Sequence, residues 1–167
     1  PVLAHQDLPL ILAATEPVAS LVRSVSGLDF EPDIIAGSPD RLAEGELADA
    51  ARKVLDARYA RKIADFATLF DTRNGQNRAT TDLSDAARAA TFGAVDTLLV
   101  DIDNVVNGTI DEENGAISFS DTPDAVDYGI VDEIAGRALA SGATVMAVRR
   151  DDIPGKGDLA AVLRYTV

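Results

Sequence analysis

Hydrophobic positions along this chain come in two rhythms, and the switch between them marks out the elements. Pro9-Leu10-Ile11-Leu12-Ala13-Ala14 is a short unbroken apolar run, the pattern of a strand buried on both faces. Glu16-Pro17 then opens a helix, the proline tolerated in the first turn and the carboxylate suited to the positive helix end. Val18, Leu21, Val22 and Val25 fall on one face of it, and Gly27 ends it. Residues 29–40 lose periodicity around two prolines, Gly37 and the Ser38-Pro39-Asp40 turn signal, with Asp33 to Ala36 as a short edge strand. From Arg41 or Glu46 to Arg73 the rhythm is helical again. Leu47, Ala51, Val54, Leu55, Tyr59, Ile63, Phe66 and Phe70 form its apolar stripe. Asp49/Lys53, Arg52/Asp56 and Arg61/Asp65 stand at ion-pair spacing on the other side, and Asn74-Gly75 stops the helix.

The second half alternates more briskly. Thr80, Thr81 or Asp82 caps a helix whose face is Leu83, Ala86, Ala87 and Ala90, with Gly93 as its C′ residue. Val95 to Ile102 follows as a strand buried on both faces, and it carries Asp101 and Asp103 at its end. Asn107-Gly108 and Asn114-Gly115 are turn dipeptides. Thr109-Ile110 and Ala116 to Phe119 pair as a hairpin over the Asp111-Glu112-Glu113 tip. Thr122-Pro123 starts a helix with the face Ile130, Val131, Ile134, Ala138 and Leu139, closed by Gly142. Ala143 to Val148 is a strand, a polar loop runs through Lys156, and Leu159 to Val167 ends the chain as a turn of helix and a strand. Helices and strands in this order predict an α/β fold: a mixed or mostly parallel sheet sandwiched between helices, preceded by a separate β-α piece.

Composition narrows the chemistry. With no cysteine and a single histidine, His5 near the first residue, the chain lacks the groups for disulfides or a His/Cys zinc site, and no Ser-His-Asp triad is expected in its body. The net charge of −13 repels a phosphate backbone and argues against direct nucleic-acid binding. No run approaches the roughly 18 apolar residues of a membrane span, and no signal segment is visible, so a cytoplasmic location is expected. Pro1 fits either methionine removal or a fragment of a longer protein.

One catalytic reading presents itself. Leu98-Leu99-Val100-Asp101-Ile102-Asp103 resembles the first motif of haloacid-dehalogenase-type phosphatases. That resemblance implies Asp101 as nucleophile and Asp103 as general acid beside Mg²⁺. The remaining machinery would come from Ser118 or Thr144 as hydroxyl, Lys156 as phosphoryl cation, and Asp151-Asp152 or Asp158 as metal acids. Lys156 lies within a few residues of all three acids, and only two strands follow the motif's own. Those are too few strand ends for such a site, so Asp101 and Asp103 are weighed as structural. The acids from Asp101 to Asp127 lack the spacing of a calcium loop and read as a solvated segment. Gly155-Lys156-Gly157 lacks the glycine spacing of a phosphate loop.

At Gly93-Ala94-Val95-Asp96-Thr97-Leu98-Leu99-Val100 the chain resembles the third domain of archaeo-eukaryotic peptide-chain release factors and their Pelota relatives. Ala140-Ser141-Gly142-Ala143-Thr144-Val145 and Leu159-Ala160-Ala161-Val162-Leu163-Arg164-Tyr165 match that domain in the same order, so the likeness covers roughly 46–167. Pro9 to Ala13 and Gly37 to Asp40 look like the last strand and helix of the ribonuclease H-like middle domain in bacterial members. The resemblance implies residues 1–40 as the end of a middle domain and 41–167 as a third domain. It implies a fold related to kink-turn-binding ribosomal proteins and a non-catalytic role. The expected partner is a protein, a GTPase or a ribosomal component, with no cofactor. The Gly-Gly-Gln tripeptide of that family belongs upstream; Asn74-Gly75-Gln76 is not it, and the segment 104–121 departs from the family pattern.

Overall fold

The computed structural model describes residues 8–120 and 128–166; the expectations for His5 and Thr122-Pro123 lie outside them. One compact unit ends at Ala64 and a second begins at Asp65, a division that falls within a single long helix.

In the first unit, β1 (Ala13–Ala14) pairs in parallel with β2 (Ile35–Ala36), and Leu10 bridges to Phe30. Between them α1 (Val18–Val25) packs on β1. Residues 9–13 are half-buried rather than buried on both faces. The pair has only two strands among the described residues, so each strand is hydrogen-bonded on one edge alone. The helix also turns differently from its hydrophobic pattern: Val18, Leu21 and Val25 are 50%, 61% and 73% exposed, while Ala19 is buried. Ala19 lets the helix backbone approach the strand closely, and that contact line at 19, 22 and 26 rotates the larger side chains outward.

The long helix α2 (Glu44–Asn74) begins in this unit. Val54 is buried and Ile63 half-buried, but Leu55 and Tyr59 of the expected stripe are exposed. None of the three expected i,i+4 ion pairs forms. Arg58 instead meets Glu31 at 2.7 Å, and Arg61 reaches Asp33 at 2.7 Å and Glu31 at 3.6 Å. Arg23 of α1 donates to the carbonyls of Glu31 and Pro32 at 2.7 and 2.8 Å. Three arginines therefore stitch the irregular segment 31–33 to the helices around it. A tertiary carboxylate held in place competes well against an exposed helical pair worth only about 0.3–0.5 kcal/mol.

The second unit opens on the end of α2, where Phe66 and Phe70 are buried with ring centroids 6.0 Å apart. Its elements are β3 (Ala79–Thr80), α3 (Leu83–Thr91), β4 (Val95–Asp101), β5 (Asn107–Ile110), β6 (Ile117–Phe119), β7 (Tyr128–Gly129), α4 (Ile130–Ala140), β8 (Thr144–Val148) and β9 (Leu159–Leu163). The main sheet has the order β3-β9-β4-β8, with β4 parallel to β8 and antiparallel to β9. It is a mixed sheet in an α/β fold, as the element order predicted. The short strands β3 and β7 were not expected, and the end of the chain differs in part. β3 is only two residues long, and 159–163 forms no helical turn but a strand buried at all five positions. A continuous apolar run fits strand and buried helix equally by period; pairing with β3 and β4 on both edges decides it.

Local signals set the helix ends. The Asp82 carboxylate accepts the Asp85 N–H at 3.0 Å and caps α3, and Gly93 takes φ +66 just past its end. Leu98 and Val100 join the buried cluster with Ala86, Ala87 and Ala90 of α3 and Ile130, Ile134 and Ala138 of α4. Leu99, Ala160 and Val162 lie outside that cluster and are also buried, so the sheet is covered on both faces. Leu139, expected in the core, is exposed. The described part of α4 begins at Ile130, after the β7 pair with β5.

The expected hairpin β5–β6 forms, and its register sets Thr109 opposite Ser118 and Ile110 opposite Ile117. Asn114-Gly115 is its turn, where the Asp111 carboxylate accepts the N–H groups of Glu113 and Asn114 at 2.9 Å each. Asn107-Gly108, however, is not a turn; it lies within β5. Gly108 has φ +151, and a Cβ there would strike the Ser118 carbonyl and stand 2.8 Å from Ile130 Cδ1. The glycine serves close packing between hairpin and helix.

The three sequence strings that carry the family resemblance meet at one side chain. Arg164 Nη1 donates to the carbonyls of Gly93, at 3.3 Å, and Ser141, at 3.1 Å. The Arg164 N–H bonds Ala94 O at 2.8 Å, and the Tyr165 hydroxyl donates to Phe92 O at 2.9 Å. Both helix-to-strand junctions are thus tied to the end of β9.

Two substitutions test this packing by equilibrium urea unfolding. Gly108→Ala is expected to cost about 2 kcal/mol or more through the clash and the strained φ. Gly136, mid-helix in α4 with open space around it, should as Gly136→Ala gain about 0.5–1 kcal/mol. Equal small effects at both positions would contradict the close approach at Gly108.

Candidate functional site

Strand β4 delivers Asp101 to the edge of the sheet. Alternation along the strand sets Leu99 and Asp101 opposite to Leu98 and Val100. Asp101 is the last strand residue rather than part of the following loop. Its N–H bonds Asp158 O at 2.8 Å, and the Ile102 N–H bonds Val148 O at 2.9 Å, so both neighbouring chains grip it. Its side chain is only 3% exposed.

A buried carboxylate needs partners, and Asp101 has them on both oxygens. Oδ1 accepts the Asp103 N–H at 3.1 Å, and Oδ2 accepts Arg150 Nε at 2.9 Å. Arg150 then spans to Asp158 Oδ1 at 2.5 Å, which also accepts Asn104 Nδ2 at 2.6 Å. The Asp103 N–H first, and the Arg150 guanidinium second, hold the Asp101 carboxyl below the ordinary carboxylate value, against the opposing push of desolvation. The same partnership raises Arg150 above the usual guanidinium range.

This arrangement separates the residues of the phosphatase reading. Asp101 accepts one hydrogen bond on each oxygen, from the Asp103 N–H and from Arg150 Nε. Asp103 is exposed in the next turn. Lys156 pairs with Asp151 at 3.1 Å, both side chains mostly in solvent. Thr144 begins β8 opposite Thr97, four residues along the strand from the Val148–Asp101 pair, about 13 Å away. Ser118 is exposed on β6. Asp158 does converge with Asp101, but through Arg150 between them. Among the described residues no group of three or more His, Asp or Glu side chains gathers as a metal site.

Arg150 is the residue that sequence reasoning missed. In the sequence it is only the second of two adjacent arginines, Arg149-Arg150. The available signal was position: Val148 ends a strand parallel to β4 and pairs with Asp101, so a cation two residues later returns over that carboxylate.

Comparison with known proteins agrees with the element order. Residues 1–63 match the model of "Bacterial archaeo-eukaryotic release factor family 8". No curated protein matches the chain. Among solved structures, the C-terminal domain of peptide chain release factor from Methanosarcina mazei is 19% identical with a TM-score of 0.55, covering 76% of this chain and 98% of that one. Dom34 of S. cerevisiae, described as a translation termination-like factor interacting with Hbs1, is 15% identical with a TM-score of 0.57, covering 95% of this chain and 46% of that one. A model of ribosome-bound archaeal Pelota and ABCE1 is 17% identical with a TM-score of 0.55, over 95% and 44%. This chain spans less than half the length of those last two proteins. The release-factor resemblance is borne out: residues 1–63 carry the sequence signature of the bacterial family, and the fold is that of the release-factor C-terminal domain.

The Asp101 network gives a pH-dependent expectation. Its native carboxyl is more acidic than in the unfolded chain, where the value is about 3.9. Ionised Asp101 therefore favours the fold above that value, and the contribution disappears as pH falls through the lower native one. Asp101→Asn should lower the melting temperature at pH 7, and the gap to wild type should shrink and close as pH falls through the lowered native value. A gap that persists unchanged in acid would show that shape, not charge, makes the difference.

Proposed function

We propose that this chain is the carboxy-terminal part of a release-factor-like translation protein, a non-catalytic domain that binds a protein partner, either a GTPase or a ribosomal component. The observation that carries the reading is the meeting of three separated family strings at Arg164, on a sheet covered on both faces. Such a centre is built for architecture, and it leaves the surface to recognition. The structural relatives supply context: one is a ribosome-bound Pelota with ABCE1, another a Dom34 that interacts with Hbs1. Residues 1–40 are read as the end of a ribonuclease H-like middle domain and 41–167 as the third domain. The net charge of −13 supports a protein surface rather than RNA as the direct contact. A cytoplasmic location follows from a translation role. Among the described residues no helix is long and apolar enough to cross a membrane.

The pairing of each Asp101 oxygen with a protein donor favours a structural role over phosphohydrolase chemistry. Two measurements test the reading. With Mg²⁺ and p-nitrophenyl phosphate, wild type and Asp101→Asn should turn over no faster than buffer; robust turnover lost in the variant overturns the non-catalytic assignment. The full-length protein should co-sediment with ribosomes or with a translational GTPase, and its failure to do either overturns the translation role.

A further inference from the structure

The ends of α3 and α4, at Thr91 and Ala140, border one cleft of about 500 Å³, closed on a third side by the hairpin tip. Ala90, Gly93 and Ser141 contribute small residues to its wall, so backbone lies near the surface. Glu112, Glu133 and Arg137 supply the charges.

Arg137 does not offer its charge to the cleft. Its Nε bonds Glu133 at 2.8 Å, its Nη1 bonds Thr91 Oγ1 at 2.7 Å and Asp111 O at 3.0 Å, and its Nη2 bonds Ile110 O at 3.1 Å. The guanidinium is consumed in joining α3, α4 and β5, and it neutralises Glu133 in doing so. What remains unneutralised is the exposed Glu112 carboxylate, in a tip that also carries Asp111 and Glu113. Two helix C-termini add their partial negative charge on the same rim. The molecule already shows what this environment selects. The carbonyls of Gly93 and Ser141, one at each helix end, hold the Arg164 guanidinium.

Four of the five Arg137 N–H donors are already engaged and Glu112 and Glu133 line the same cleft, which disfavours an anion, and a metal ion finds no convergent set of ligands among the described residues. A flexible cation with an aliphatic stem fits the small-residue wall and the negative rim. Apolar side chains flank these helix ends, with Phe92 and Leu139 both more than half exposed. The overall charge of −13 draws basic partners toward the domain from a distance.

We propose that this cleft is the docking site for a basic segment of a protein partner, taking an arginine or lysine side chain against Glu112. The proposal rests on the partner-binding reading above and specifies its chemistry. Glu112 belongs to the segment 104–121 that departs from the family pattern, so the preference belongs to this chain's own surface.

The test uses a fluorescein-labelled peptide of alternating leucine and arginine, titrated with the whole chain at about 50 mM salt and followed by anisotropy. Glu112→Lys should weaken binding about tenfold or more. Asp56→Lys, an equal charge change on the exposed face of α2, should weaken it less than twofold. In ¹H–¹⁵N spectra the peptide should shift the amides of Gly93, Ser141 and Glu112 most. Equal losses in the two variants would overturn the proposal, since binding would then follow net charge alone. So would shifts centred elsewhere, or no binding by a wild type that gives a folded spectrum. Ribosome co-sedimentation is measured independently, so loss of the cleft and loss of the translation role are told apart.

Discussion

Strand β4 has to be paired on both edges and buried on both faces, and the second unit is arranged to meet that demand. Its backbone bonds go to β8 on one side and β9 on the other. Leu98 and Val100 are covered by α3 and α4, while Leu99 is buried on the reverse face. Truncating a fully buried leucine at such a position costs about 2–5 kcal/mol, a large part of the stability of a domain this size. The two helix-to-strand junctions and the β9 terminus are drawn to the same place because β4 and β8 start together. Arg164 satisfies the carbonyls exposed there.

The far end of β4 obeys the same logic with a different result. A strand-terminal aspartate suggests chemistry when read as sequence. In the fold Asp101 sits under Arg150, with Asp158 and Asn104 completing the network. Leaving a buried carboxylate unpaired is costly, and each Asp101 oxygen has a partner here. A carboxylate's neighbours, more than its place at a strand end, separate a structural role from a catalytic one. The surface proposed for recognition lies instead at the helix ends, where the exposed Glu112 borders the cleft.

The release-factor likeness divides along the chain in an instructive way. The family-model match covers residues 1–63, where Pro9 to Ala13 and Gly37 to Asp40 lie, whereas the three other strings that resemble the family lie from Gly93 onward. Those later strings are short and are not continuous in sequence. Arg164, Gly93 and Ser141 are separated by 71 and 23 positions and share only hydrogen bonds. A contact of that kind joins distant parts of the chain without a continuous motif, and identity to the structural relatives is 15–19%.

By itself the sequence determined everything that a few neighbouring residues can decide. Asp82 and Gly93 set the limits of α3, the unbroken run at 95–101 set a buried strand, and Asn114-Gly115 set the hairpin turn in register. These are short-range effects of caps, backbone conformation and alternation. Tertiary structure decided what depends on residues far apart. It turned Ala19 inward and Leu21 outward, took Arg61 from Asp65 to Asp33, made 159–163 a strand, put Gly108 inside β5, and laid Arg150 over Asp101. In each case two local options differ by a kilocalorie per mole or less, and burial or a held charge partner outweighs the difference.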